Sequence, residues 1–175
     1  MSPALRAPSI PQGLSELADE FKRLDHDRRT RGLSPNEAGR YHTLFERLSD
    51  TLAQGERNRR VDTRQFLRVP FHMTLTIRRA DGTHAAACHD FGGGGCAIAT
   101  PGDLRFELDD DVWLDGAEIE GETHPLHGRA TIVWTRLPTG GEPARYGLKF
   151  CIDADEERDQ IDRLFYRVLD RFLTR

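Results

Sequence analysis

Phe71-His-Met-Thr-Leu-Thr-Ile-Arg-Arg-Ala-Asp-Gly-Thr-His-Ala-Ala-Ala-Cys-His-Asp-Phe-Gly-Gly-Gly-Gly95 is the stretch that decides the fold. Its first half alternates apolar Phe71, Met73, Leu75 and Ile77 with polar His72, Thr74, Thr76 and Arg78, the period of a strand buried on one face. Asp81-Gly82 is a tight hairpin signal, so His84 to Asp90 is expected to return alongside as the second strand. Further short strands are expected around Cys96 to Thr100, Val112 to Leu114, His127 to Arg136 and Arg145 to Ile152, separated by Gly102, Gly116, Gly121 and Gly140-Gly141. Regular short strands with glycine turns predict a small closed antiparallel β-barrel.

Outward from the barrel the period changes to that of helices. At the C-terminal end, Ile161, Leu164, Phe165, Val168, Leu169 and Phe172 form one stripe across Asp155 to Leu173, with acidic residues in the first turn. Toward the N-terminus, Leu14, Leu17, Phe21 and Leu24 share a helix face, and Gly32 can close that helix. Ser34, Pro35 and Glu37 supply a cap, a first-turn proline and a capping-box partner for a second helix. In that helix Ala38, Tyr41, Phe45, Leu48 and Leu52 follow a narrow heptad seam until Gly55. The expected organisation is a flexible terminus over 1–13, a helical hairpin over 14–55, and a barrel with a basic strap and a C-terminal helix over 56–175.

Composition narrows the function. A net charge of −4 counts against a surface built wholly for nucleic acid or anionic membrane. No run approaches the roughly 18 apolar residues of a membrane span, and the start lacks a signal-peptide core. Cys88, Cys96 and Cys151 have neither disulfide-framework nor zinc-ribbon spacing, which suits a reducing cytoplasm. They are expected as small buried residues. His84, His89, His124 and His127 match no zinc module, and no metal site is expected. No nucleophile, base and orienter can be named, so no enzyme is expected. The glycine run is neither a P-loop, lacking Gly-Lys-Ser/Thr, nor a nucleophile elbow, lacking serine. Trp113 and Trp134 are read as core or barrel rim, and Asp109-Asp110-Asp111 as solvated acids.

Two motifs remain. Arg64-Gln-Phe-Leu-Arg68, followed by Val69-Pro70, precedes the first strand, and Asp90-Phe-Gly-Gly-Gly-Gly95 closes the second. Together with Tyr146-Gly-Leu-Lys-Phe150 in the last strand they resemble the PilZ family, which carries R-x-x-x-R, then D/N-x-S-x-x-G, on a small barrel. The resemblance covers roughly Arg59 to Arg175 and implies a receptor for cyclic di-GMP. It assigns ligand contacts to Arg64, Arg68, Asp90, Gly92, Gly94 and Gly95, with Arg60 as a further candidate.

The chemistry of those residues suits that ligand. Arginine's fork matches both phosphates and the O6 and N7 acceptors of guanine. A carboxylate such as Asp90 accepts from guanine N1–H and N2–H, which a phosphate-only site would not use. Gly93, Gly94 and Gly95 permit positive φ and close backbone approach, letting a base lie on the turn. Residues Glu56 to Thr63 would close over it. The sequence departs from the family at Gly92, which replaces the serine. One lost neutral hydrogen bond is worth about 0.5–1.5 kcal/mol, or two- to tenfold in affinity. The alternative reading is an adaptor that binds protein and no nucleotide. The hairpin is the candidate surface for a protein partner or for self-association, and nucleic acid is disfavoured.

Overall fold

The computed structural model describes residues 13–53, 66–102, 104–138 and 140–174. Residues 1–12 of the expected flexible terminus, the strap's Arg60 and Arg64, and Gly55 lie outside them. The elements are α1 (Leu14–Thr30), α2 (Pro35–Leu52), β1 (Arg68–Arg79), β2 (Gly82–Gly92), β3 (Gly95–Thr100), β4 (Asp111–Ile119), β5 (Glu122–Arg136), β6 (Ala144–Cys151) and α3 (Asp155–Leu173). The chain divides into two compact units, one of Met1–Asp62 with Leu169–Arg175, the other Thr63–Val168.

All six strands close into an antiparallel barrel in the order β1-β2-β3-β6-β5-β4. The alternation in β1 does what its period requires: Phe71, Met73, Leu75 and Ile77 are buried, while His72, Thr74 and Arg78 face out. Leu114, Ile119, Ile132, Leu148 and Phe150 complete that interior. The β1–β2 loop is Ala80-Asp81, one residue earlier than expected, because Gly82 already pairs with Arg79. The fourth strand is longer than its sequence suggested. Gly116 lies inside β4 at a register shift rather than ending it, and the turn comes at Glu120-Gly121, both with positive φ. Two such residues make the turn whose twist matches paired strands.

In the hairpin unit, Ser34 caps α2 with a complete capping box to Glu37, and Pro35 follows it. The seam differs from the heptad reading. Ala38 is exposed, whereas Leu44, Leu48 and Leu52 are buried and Tyr41 and Phe45 half-buried. A 3.6-residue helix presents a stripe wider than two heptad positions, which brings Leu44 inward. Phe21 stacks on Tyr41 with centroids 5.3 Å apart. The stripe of α3 buries Ile161, Leu164, Phe165, Val168 and Leu169, with Leu173 buried and Phe172 only half-buried. Its start is capped by Glu157, which accepts from the Asp153 and Ala154 amides, and is tied to β5, where the His127 amide donates to Gln160 at 2.8 Å.

Candidate ligand-binding site

The site grows from the two ends that β1 and β2 bring together. Register places Arg68 opposite Gly92 and Pro70 opposite Asp90, with register shifts beyond Pro70 and before Asp90. Those shifts turn the Asp90 carboxylate outward. It accepts from Arg68 Nη1 at 2.6 Å and from the Ala97 amide at 3.1 Å. Both side chains keep solvent access, at 24% and 32%. The structure thus brings Arg68 and Asp90 together, while Arg64 and Arg60 fall outside the described residues.

The glycines are needed for closeness and not for handedness. None of Gly92, Gly93, Gly94 and Gly95 has positive φ, which overturns that part of the sequence argument. A Cβ on Gly92 would lie 2.6 Å from the Leu67 carbonyl oxygen and 3.0 Å from Arg68 Cγ. One on Gly95 would overlap the Leu148 carbonyl oxygen. At Gly93 and Gly94 the nearest atoms belong to the Phe66 ring, 3.1 and 2.6 Å from where a Cβ would stand.

Beyond Asp90, register aligns Asp90, Ala97, Gly147 and Trp134 across four strands. Three strand spacings make this row about 14 Å along the sheet. Its middle is nearly bare, since Ala97 is small and a Cβ on Gly147 would overlap the Trp134 indole. Trp134 is 41% exposed and Trp113 48%, which excludes the core and leaves the rim of the two places expected for them. The strand period alone does not say which face is wet, so it left core and rim open. Trp134 can stack a planar base.

The wall near Asp90 carries more nitrogen. His72 and His89 meet through their Nδ1 atoms at 3.2 Å, edge to face. Burial holds the His89 imidazole below its usual range, and His72 and Arg145 push the same way. A neutral ring lets one Nδ1 donate and the other accept. His89 Nε2 and Arg145 Nε are buried and make no hydrogen bond among the described residues. Cys88 and Cys96 lie beneath in the core, and burial pushes the Cys88 thiol well up. Cys151, by contrast, is not fully buried. Among the described residues no group of three or more His, Cys, Asp or Glu is placed to hold a metal ion. Asp110 and Asp111 are engaged, the first accepting from the Glu107 amide and the second from Arg129 and Thr131.

The sequence profile of the PilZ domain matches residues 62–167, more than half of the chain. The chain belongs to the PilZ family. Among solved structures, the Bacillus subtilis inhibitor of motility MotI/DgrA is 16% identical with a TM-score of 0.52, covering 65% of this chain and 54% of that one. This PilZ chain therefore spans about half the length of that protein. The PilZ domain of Escherichia coli YcgR with c-di-GMP is 12% identical, TM-score 0.49, covering 63% and 94%. The Klebsiella pneumonia MrkH–c-di-GMP complex is 14% identical, TM-score 0.49, covering 63% and 54%. No curated protein matches.

The PilZ motif led directly to Arg68, Asp90 and the glycines. Phe66, Trp134, Gly147 and Arg145, which border these residues, were not named as candidates. Phe66 was legible only as a spacer inside Arg64-x-x-x-Arg68. The others come near the site through strand register.

Proposed function

We propose that this PilZ protein is a cytoplasmic receptor for cyclic di-GMP and not an enzyme. The observation that carries the reading is the Arg68–Asp90 pair, 2.6 Å apart beside the glycine turn. Arg68 supplies the fork for phosphate or guanine acceptors, Asp90 accepts from guanine N1–H and N2–H, and Gly94 carries no side chain to keep a ligand off its backbone. Arg64 and Arg60 add guanidinium from the preceding strap. Output runs through contacts of the helical hairpin, with a protein partner or a second copy. That output requires different affinity of the ligand for two states of the protein.

Titration calorimetry with cyclic di-GMP, GTP and cyclic di-AMP tests the reading. Heat with cyclic di-GMP alone is expected, and Arg68→Ala should weaken it by about 2–5 kcal/mol, thirtyfold or more. Wild-type affinity in Arg68→Ala overturns it. One observation favours the adaptor reading: Gly92 replaces the serine, and a Cβ there meets the Leu67 carbonyl at 2.6 Å. A silent titration with an intact fold would decide for the adaptor.

A further inference from the structure

Phe66 is the central residue of Arg64-Gln-Phe-Leu-Arg68, and its neighbour Leu67 is buried in the core. Its ring lies on the backbone of Gly93 and Gly94, closest where a Gly94 Cβ would stand 2.6 Å from Cδ2 and 2.9 Å from Cε2. On the ring sits a cation. The guanidinium carbon of Arg158, from α3, is 5.8 Å from the ring centroid, and Arg158 Nη1 donates to the Gly93 carbonyl at 2.7 Å. Asp162, one turn further along α3, is 3.8 Å from the same nitrogen. Bare peptide on one side of the ring and guanidinium on the other are the surroundings a purine base needs: close backbone contact together with a planar cation.

We propose that Phe66 is an internal stand-in for a base of the ligand, and that Arg158 is a ligand-binding residue. In the free protein the ring keeps the glycine turn covered. A guanine displaces it and takes its place beside Arg158, whose guanidinium can stack on the face of the base as it lies over the phenyl ring. This rests on the cyclic di-GMP reading and extends it to α3, which the sequence motifs do not touch. Displacement exchanges one ring for another under one cation, so Phe66 competes with the ligand rather than assisting it.

The test is titration of cyclic di-GMP into wild type, Phe66→Ala, Phe66→Leu and Arg158→Ala, with amide exchange of the glycine turn followed without ligand. Melting curves confirm that each variant is folded. Removing the competing ring should tighten binding about two- to fivefold, the value of a partly exposed cation–π contact, with Phe66→Leu between. Arg158→Ala should weaken it, and both Phe66→Ala and Arg158→Ala should speed exchange at Gly93 and Gly94. Binding by Phe66→Ala where wild type is silent would support the proposal most directly. Weaker or unchanged binding in Phe66→Ala, with wild type binding normally, overturns the stand-in while leaving the receptor reading intact. Silence in both wild type and Phe66→Ala removes the receptor reading and this proposal with it.

Discussion

At Gly92 the absence of a side chain is a steric requirement. The Leu67 carbonyl would stand 2.6 Å from a Cβ and Arg68 Cγ 3.0 Å, so a serine must push Leu67 and Arg68 outward. Gly92→Ser is therefore expected to lose about 1–3 kcal/mol of stability, as for other overpacked sites. It should also lower cyclic di-GMP affinity, because Arg68 is carried away from Asp90. Calorimetry and a melting curve together check this, and a gain in affinity at constant stability would restore the serine's family role. Gly95→Ala should fall at about 3 kcal/mol, the upper end, because its Cβ overlaps a backbone oxygen that cannot swing aside. Arg68 and Asp90 were legible through the PilZ motif, whereas their direct pairing was not, since a register shift past Pro70 intervenes between them and the hairpin turn. Trp134 and Gly147 were not, since their meeting depends on β5–β6 pairing that no local pattern encodes.

Among the elements, α2 offers the cleanest measurement. The Arg31 side chain, then the Ser34 backbone and hydroxyl, hold the Glu37 carboxyl down at about 2 from 4.5. A depressed folded-state value means the carboxylate favours the folded hairpin above pH 4.5, and that contribution is lost as pH falls from 4.5 through about 2. Ser34→Ala should cost about 1 kcal/mol of helix stability, as for a lost N-cap. It should also raise the Glu37 midpoint toward 4.5, as followed by NMR titration of the carboxyl carbon. An unmoved midpoint would show that Arg31 alone sets it. The start of α2 was readable because Ser34-Pro35-Asn-Glu37 is a local chemical signal. Its buried face was misread because Ala38 fits a heptad while Leu44 does not, and helix packing selects the wider stripe. The β4–β5 turn was misplaced for a related reason: Gly116 and Gly121 look alike in sequence, but only Gly121 ends a strand.

For the whole molecule, the division into two compact units predicts that the barrel does not need the hairpin for its core. Val69, Phe71, Leu75, Ile77, Ile98 and Leu148 are buried within Thr63–Val168. A chain lacking residues 1–53 should melt in one transition and keep its cyclic di-GMP affinity. Its circular dichroism should show the loss of more helix than the 17 and 18 residues of α1 and α2, because Leu169–Arg175 belongs to the removed unit. Failure to fold would show that one core serves both units. The outline of six strands and three helices was legible from periodicity. The sharing of α3 was not, since its stripe reads alike wherever it packs.

Every strand of the barrel is hydrogen-bonded on both sides. A closed sheet has no edge on which another chain's backbone could be templated. Val133 and Trp134 stand exposed on β5, yet they offer a neighbour side chains only. Molecules that meet there at high concentration can form clusters that dissolve on dilution, whereas growth into cross-β fibrils requires the barrel to open first.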